Sequence, residues 1–291
     1  MTDLAQLPIT PLLVVDAPAA HALSREANWN QTEEDWRLMI TTGDAVGLRD
    51  EDGRLIASAL SLPQGPDFAW LSMILVTADY QRQNIASRLM AHLIAKVQAE
   101  GQIPGLDATP AGKPVYQPLG FLPVYELSRW QATEPGWAAP AAVPGGVSVE
   151  AATTNDLGDI LAYDASCFGG DRRDVIAHLL QRCPDQALLA RHDADNSLAG
   201  FALARDGREN LQVGPVVADN EQIAIDLLDR VFSTLDGGIY IDVPDSQELL
   251  SAWLKSRGFT VQRPFTRMLV GRTEPFDQPQ HIFAIAGPEL G

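Results

Sequence analysis

The sequence predicts an α/β fold made of two tandem copies of one unit, each with helices around a central sheet. The same order of elements occurs twice within the 291 residues. In each copy two apolar runs flank a polar turn, at residues 51–53 and 193–197, which is typical of a β-hairpin. A helix followed by Gly-Phe and a strand closes each copy, and Gly120 and Gly258 lie 138 residues apart. This repetition indicates an internal duplication.

The first copy covers residues 1–130. Thr32, followed by acidic residues, is typical of a helix N-cap. Apolar side chains at helical spacing from Ile85 predict a long helix that Gly101 ends. The predicted elements are a strand, two helices, two hairpin strands, a buried strand, the long helix, a strand, a short helix and a closing strand, at residues 11–16, 19–28, 32–40, 45–50, 55–62, 68–76, 85–100, 103–109, 112–119 and 122–130.

A linker is predicted over residues 131–146, because three prolines and three glycines occur there without hydrophobic periodicity. The second copy, residues 147–291, repeats the order of the first. Its predicted elements lie at residues 147–152, 155–165, 174–182, 186–191, 198–205, 211–218, 222–232, 239–244 and 248–257. The apolar segment F-A-I-A-G-P-E-L-G, residues 283–291, is expected to dock on the protein as an added strand.

Charge and cysteine content exclude several classes of function. The chain has 21 basic and 38 acidic residues, and its formal charge of −17 repels nucleic acids and anionic membranes. That field favours a cationic substrate, although many ordinary proteins are simply acidic. Cys167 and Cys183 have neither metal-site nor redox spacing, and the histidines are scattered, so no metal is expected. No run reaches the ~18 apolar residues of a membrane span, and we expect a cytoplasmic protein.

The segment V-T-A-D-Y-Q-R-Q-N-I-A-S, residues 76–87, connects the buried strand to the long helix and predicts an anion site. The first N–H groups of a helix have no intrahelical partner, and the helix dipole adds positive charge there. Asn84 tolerates a left-handed backbone, Ala86 and Ser87 are small, and Arg82 adds a positive charge. A capped helix end that binds nothing is the alternative interpretation.

The same segment resembles the acyl-CoA-binding motif of the GNAT superfamily of N-acetyltransferases. Gln81, Asn84 and Ala86 occupy the three signature places of Arg/Gln-x-x-Gly-x-Gly/Ala. Ala78 replaces a common proline, and Asn84 replaces the first glycine, so that a side chain narrows the approach of a pyrophosphate. A second resemblance follows downstream, where Tyr116 stands four residues before Gly-Phe, as a tyrosine does in this family.

The resemblance implies two tandem GNAT-like domains, each a mixed, mostly antiparallel sheet with splayed middle strands and flanking helices. Residues 1–130 are identified as the domain that binds acyl-CoA and catalyses. The second copy has Leu254 where Tyr116 stands in the first, and Asp219 and Glu221 would repel a pyrophosphate. We therefore expect the second copy to have a structural role and to contribute to the acceptor pocket.

By resemblance, acetyl-CoA is the co-substrate and no metal takes part. The buried strand binds the pantetheine and thioester through its backbone, and the loop wraps the pyrophosphate. Tyr116 either donates a proton to the departing thiolate or packs its ring under the cleft. Thr109 lies where many relatives carry an asparagine that contacts the cofactor. The implied cofactor-binding residues are Ile74, Leu75, Val76, Gln81, Arg82, Gln83, Asn84, Ile85, Ala86, Ser87 and Thr109.

The general base is open. Asp107 is the carboxylate on the strand at 103–109, and its candidate roles are a base, an anchor for a substrate ammonium or a cap for the following turn. The predicted function is transfer of an acetyl group from acetyl-CoA to a primary amine of a small molecule, by direct attack in a ternary complex. The alternative is a non-catalytic acyl-CoA sensor or scaffold. We expect a monomer or weak homodimer, since an internal tandem can replace a dimer interface.

Overall fold

The computed structural model describes residues 7–133, 146–235 and 237–291. The helices are α1 (Ala17–Glu26), α2 (Glu33–Thr42), α3 (Ile85–Ala99), α4 (Lys113–Tyr116), α5 (Leu157–Phe168), α6 (Arg173–Arg182), α7 (Glu221–Phe232) and α8 (Glu248–Ser256). Among these described helices, none has both the length and the apolar character that a membrane crossing requires. Within the same residues, no group of three or more His, Cys, Asp or Glu side chains is arranged to hold a metal ion.

The strands belong to one continuous sheet that runs through both halves of the chain. They are β1 (Thr10–Pro11), β2 (Asp44–Arg49), β3 (Leu55–Pro63), β4 (Phe68–Val76), β5 (Ile103–Ala108), β6 (Phe121–Ala132), β7 (Val147–Ala151), β8 (Leu188–His192), β9 (Leu198–Arg205), β10 (Leu211–Ala218), β11 (Ile239–Pro244), β12 (Thr260–Val270) and β13 (Ile282–Ala284). The order is β1-β2-β3-β4-β5-β12-β6-β11-β10-β9-β8-β7, and β13 pairs with β10.

Most neighbouring strands are antiparallel, and the pairs β4–β5 and β10–β11 are parallel. Helices pack against the sheet through apolar side chains at helical spacing. In α3, Leu89, Leu93 and Val97 are buried in a core shared with β3 and β4. The prediction of a mixed, mostly antiparallel sheet with flanking helices is confirmed.

The two halves exchange their closing strands. β12 of the second half lies between β5 and β6 of the first, and β6 in turn pairs with β11. β6 and β12 are equivalent elements, because each follows a helix and a Gly-Phe pair. Each therefore fills the place that the other would hold in a self-contained unit, as in domain swapping. The predicted division into 1–130 and 147–291 does not include this exchange, because local patterns are the same for either pairing.

Two predicted boundaries differ from the structure. The predicted linker overlaps β6, which continues to Ala132 and pairs there with Ile239, and residues 134–145 lie outside the described residues. The strand predicted at 11–16 is wrong. Val14–Asp16 form a 3-10 turn, and the Asp16 carboxylate accepts a hydrogen bond from the Leu13 N–H at 2.8 Å, which favours the turn over an extended strand.

The parallel strands β4 and β5 separate partway along their length. They pair from Phe68 to Trp70, opposite Ile103 to Gly105, and then diverge. The second half of β4 therefore borders an open cleft. This geometry confirms the predicted splay of the middle strands in the first copy.

In the second copy the corresponding opening is filled by the chain itself. β10 and β11 pair over Leu211–Val213, and beyond that point Ala284 of β13 pairs with Val216. On the other side, the Ile285 N–H donates to the Asp242 carbonyl of β11 at 3.0 Å. The expected docking of residues 283–291 as an added strand is confirmed.

Candidate active site

A cavity of about 150 Å³ lies where β4 and β5 diverge. Four of the predicted site residues line it together: Ile74, Asp107, Thr109 and Tyr116. The remaining walls include side chains that the sequence did not single out, among them Gln31, Ser72, Met73, Arg129, Arg263, Phe265, Pro288 and Glu289. The cavity is thus built from both halves of the chain.

A β-bulge in β4 lies at the edge of the cavity. Met73 has a φ of 54°, which is rare for a residue other than glycine, and the register between β3 and β4 shifts at this point. The buried Ser58 hydroxyl donates to the Met73 carbonyl at 2.9 Å and holds the bulge. A bulge disrupts the ladder locally, and strained backbone of this kind is concentrated at functional sites. The Met73–Ile74 backbone is therefore the part of β4 that is best suited to contact a ligand.

The loop that follows β4 leads into α3 through two left-handed residues. Arg82 has a φ of 59° and Asn84, the N-cap of α3, has a φ of 64°. Among the described residues, no side chain caps the helix through Asn84, so the first-turn N–H groups are directed at the exposed loop. Left-handed residues in a turn form the concave N–H arrangement that binds anions, and the helix dipole acts in the same direction.

The glutamines of the loop stabilise its shape. The Gln81 side-chain amide donates to the Val76 carbonyl at 3.1 Å, and that of Gln83 donates to the Asp79 carbonyl at 3.2 Å. These bonds turn the amides toward the protein backbone. The other predicted cofactor-binding residues lie in order along the same path: Leu75 and Ile85 are buried, Val76, Ala86 and Ser87 are half-buried, and Arg82 and Asn84 are exposed.

Tyr116 is the last residue of α4 and is partly exposed toward the cavity. Its ring lies 6.0 Å from the ring of Phe121, centroid to centroid. Desolvation in this position raises the pKa of the Tyr116 phenol to about 12. The phenol is therefore protonated at neutral pH and can donate a hydrogen bond into the cavity.

Asp107 is held in a buried ion pair with Arg267 of β12. Arg267 Nε and Nη2 donate to the two carboxylate oxygens at 3.0 and 2.9 Å. Arg267 Nη1 also donates to Asp277 at 2.9 Å, and the Tyr125 hydroxyl donates to the same carboxylate at 2.6 Å. Burial raises the pKa of Asp107, and the charge of Arg267 opposes that rise.

The role of a cap for the turn after β5 is taken by a neighbour of Asp107. Thr109 Oγ1 accepts a hydrogen bond from the Gly112 N–H at 3.2 Å. The cap considered for Asp107 is therefore provided by Thr109. The Thr109 hydroxyl keeps its own hydrogen as a donor toward the cavity.

Residues 282–291, which we call the inserted segment, form a wall of the cavity that the sequence did not predict. The Trp70 indole N–H donates to the Pro288 carbonyl at 2.9 Å, and the Gln64 amide donates to the Leu290 carbonyl at 2.8 Å. Glu289 forms an ion pair with Arg205. The apolar character of the segment indicated docking, but no local pattern identifies partners more than 200 residues away.

The strand-to-helix passage of the second copy has a different chemistry. Asp219 accepts hydrogen bonds from the Tyr163 hydroxyl at 2.7 Å and from His192 Nε2 at 2.8 Å. Leu254, at the place of Tyr116, is fully buried in the core of the second half. The inserted segment occupies the opening between β10 and β11.

The geometry described so far, a parallel pair that splays beside a bulge and a loop that opens at a helix N-terminus, defines a GNAT fold in the first half and a closed version in the second. Comparisons with known proteins agree. The family model described as "Acetyltransferase (GNAT) family" matches residues 12–121, and the one described as "Acetyltransferase (GNAT) domain" matches residues 160–284. The chain belongs to the GNAT superfamily, as a tandem protein and a GNAT-type acyltransferase.

Individual relatives extend over nearly the whole chain. An uncharacterized N-acetyltransferase, YitH, of Bacillus subtilis (strain 168) is 24% identical over 270 residues, which are 92% of this chain and 93% of the relative. A crystal structure of a candidate acetyltransferase from Pyrococcus horikoshii superimposes with a TM-score of 0.79 at 19% identity, covering 100% of this chain and 98% of that one. A tandem GNAT protein from the clavulanic acid biosynthesis pathway has a TM-score of 0.68 at 14% identity, covering 92% and 100%. These structural similarities concern the fold.

Proposed function

We propose that the protein transfers an acetyl group from acetyl-CoA to a primary amine of a small molecule, at the cavity of the first copy. The observation that supports this most strongly is that Tyr116 and the Met73–Ile74 bulge line one cavity at the open end of the β4–β5 pair. A thioester held along β4 would have its carbonyl beside the bulge and its sulfur within reach of a phenol. Both groups are needed for acyl transfer by direct attack.

The donor would be bound mainly by backbone groups. Residues 74–76 of β4 offer the strand edge to the pantetheine arm, and the N–H groups of the 82–87 loop and helix turn offer an anion site to the pyrophosphate. Arg82 is exposed beside that site and adds a positive charge in a strongly acidic protein. This arrangement gives the donor affinity without a metal ion.

The chemical step consists of one bond formed and one broken. The neutral amine nitrogen attacks the thioester carbon, an N–H of the bulge stabilises the oxyanion by about 3 kcal/mol, and the C–S bond then breaks with its electrons on sulfur. Tyr116 donates its proton to the sulfur, and the proton lost by the amine returns to the phenolate through water. The raised pKa keeps Tyr116 protonated until the sulfur becomes negative.

Asp107 remains a candidate base, but its contacts favour a structural role. Both carboxylate oxygens accept hydrogen bonds from Arg267, and this pair joins β5 to the exchanged strand β12. A carboxylate engaged in this way positions the cavity wall. We therefore favour water as the initial acceptor of the amine proton.

A non-catalytic acyl-CoA sensor is the second candidate, and Asn84 is the observation that favours it. The side chain of Asn84 lies in the exposed loop at a signature place where relatives have glycine, and it narrows the anion site. A sensor would bind coenzyme A and show no dependence on Tyr116.

The experiment uses the full chain with acetyl-CoA and a panel of primary amines, and it measures free thiol. Calorimetric titration with coenzyme A is measured in parallel. Binding together with amine-dependent thiol release supports the transferase. Binding with no thiol release from any amine supports the sensor, and no binding at all refutes both candidates.

We further propose that the second copy binds no coenzyme A, because the inserted segment fills its splay and Asp219 carries negative charge at the helix entry. Its role is to supply β12 and one wall of the acceptor cavity. A cytoplasmic monomer or weak homodimer fits this arrangement, since the duplicated halves already cover each other's open strands.

A further inference from the structure

We propose that the acceptor amine also carries a carboxylate, and that Arg263 binds it. This inference rests on the proposed function, because it concerns the acceptor side of the same cavity. It differs from the expectation drawn from net charge, which favoured a cationic acceptor. The argument follows from the pairing of the charged side chains that line the cavity.

Three of the four charged side chains in the cavity wall have an ion-pair partner. These pairs are Asp107 with Arg267, Arg129 with Asp242 and Glu289 with Arg205. Arg263 is the fourth, and within the described residues no carboxylate forms a salt bridge with it. The local charge that remains uncompensated in the cavity is therefore positive, although the protein as a whole is strongly negative.

Arg263 is held in place by an aromatic ring and lacks a hydrogen-bond partner where one is needed. Its guanidinium lies 5.1 Å from the centroid of the Phe265 ring. Its Nε is buried and has no hydrogen-bond partner among the described residues. A buried donor without a partner costs about 1–3 kcal/mol, which a ligand that accepts the bond would recover.

The surroundings of Arg263 strengthen its preference for an anion. Burial lowers the pKa of Arg263, and the nearby charge of Arg129 lowers it further. Arg129 is already neutralised by Asp242, whose oxygens accept from Nε and Nη2 at 2.8 Å each. An incoming carboxylate would therefore pair with Arg263, in the bidentate geometry that guanidinium groups favour.

Two further cavity residues have unpaired polar atoms suited to the amine end of such a ligand. Gln31 Oε1 and Ser72 Oγ are buried without hydrogen-bond partners in the part of the chain that the structure describes. Gln31 Oε1 accepts only, and Ser72 Oγ accepts as well as donates. A cavity with an anion-binding donor and separate acceptors matches a molecule with a carboxylate and an amine, as in the amino acids.

The test compares L-amino acids with the matching L-amino acid amides, which keep the amine and lose the negative charge. Calorimetry measures the binding of both sets to the full chain loaded with coenzyme A, and thiol release from acetyl-CoA measures turnover. We expect at least one amino acid to bind roughly 10- to 100-fold more tightly than its amide, since a hydrogen-bonded charge contributes that much.

The Arg263→Gln variant identifies the residue responsible. We expect it to remove the preference for the acid and to leave coenzyme A binding unchanged, while Arg263→Lys keeps part of the preference. Arg230→Gln, on the exposed surface of α7, is the matched control and should behave like the wild type. The melting temperature of each variant separates lost recognition from lost folding.

The outcomes distinguish this inference from the proposed function. Thiol release with amines, but with no preference for the acid over the amide, overturns the inference and leaves the transferase standing. An Arg263-dependent preference in binding without thiol release from any acceptor supports the inference and overturns the transferase. An acid preference that Arg263→Gln leaves unchanged also overturns the inference.

Discussion

At the scale of single residues, backbone strain is concentrated beside the cavity. Three of the five non-glycine residues with positive φ in the described chain are Met73, Arg82 and Asn84, within 12 residues of one another. Such conformations cost about 1 kcal/mol or more each. Their concentration between the end of β4 and the start of α3 indicates that the backbone itself is the binding element there.

Tyr116→Phe tests the phenol. We expect kcat to fall by roughly 10²- to 10⁴-fold, because the departing thiolate loses its proton donor, while the Kd for coenzyme A is unchanged. The wild-type rate should not decline between pH 8 and about pH 10.5, because a pKa near 12 keeps the phenol protonated in that range. A rate that falls with an apparent pKa near 10, or a Phe variant with wild-type kcat, would contradict this role.

Asn84→Gly tests the narrowed anion site. Glycine adopts a φ of 64° without strain and opens the approach to the backbone, so we expect coenzyme A affinity to increase by about 1 kcal/mol, roughly fivefold in Kd. Asn196→Gly is the matched control, since Asn196 has a φ of 62° in the distant hairpin turn. Calorimetry should show tighter binding in the first variant and wild-type binding in the second. Equal effects in both would show that stability, not access, was changed.

Asp107→Asn separates the two roles of that carboxylate. If Asp107 positions β5 against β12, the variant leaves Arg267 partly unpaired and should lower the free energy of unfolding by roughly 3 kcal/mol. Denaturant unfolding measures this loss, and kcat of the folded fraction should change little. A variant of wild-type stability with a kcat reduced by several orders of magnitude would instead assign Asp107 to proton transfer.

At the scale of elements, the inserted segment is the feature on which the acceptor cavity depends. Gly214 in β10 has a φ of 144°, and a Cβ at this position would overlap the Ile285 carbonyl. The close approach of these two backbones is what allows the segment to enter the opening of the second copy. The cavity wall at Pro288 and Glu289 is a continuation of this contact.

Gly214→Ala should therefore act at a distance. We expect a loss of about 1–3 kcal/mol in the free energy of unfolding from steric overlap, and a raised KM for the acceptor with an unchanged Kd for coenzyme A. Gly158→Ala is the control, because a Cβ there meets no atom within 4 Å. Unchanged acceptor KM in the Gly214 variant would show that the segment does not shape the acceptor site.

Local sequence patterns predict most of these elements and part of the site. The loop at 81–87, Tyr116 and the docking of residues 283–291 follow from periodicity, small-residue spacing and family resemblance. The bulge at Met73 could not be predicted, because nothing in the apolar run of β4 distinguishes one residue from the next. Arg267 could not be assigned to Asp107 either, because 160 residues separate them and only the strand exchange brings them together.

At the scale of the whole molecule, the exchange of β6 and β12 makes one cooperative structure out of two copies. Without β12, the strands β5 and β6 would each present an unpaired edge, and such edges promote aggregation. The Asp107–Arg267 pair and the cavity wall formed by Arg263 would be lost as well. The first copy is therefore incomplete as a separate unit.

A fragment of residues 1–132 should accordingly fail to fold. Circular dichroism and analytical ultracentrifugation are expected to show an unfolded or aggregated chain, whereas the full chain unfolds in a single calorimetric transition. Two well-separated transitions in the full chain, or a monomeric folded fragment that binds coenzyme A, would contradict the proposed interdependence of the halves.

The inserted segment has an evolutionary consequence. A duplicated catalytic domain usually leaves a spare donor channel, and here that channel anchors a stretch of chain whose far end lies against the acceptor. Substitutions within residues 286–290 can alter which amines are accepted while the thioester machinery, almost 200 residues earlier, stays untouched. Selectivity and catalysis can thus diverge independently within one polypeptide.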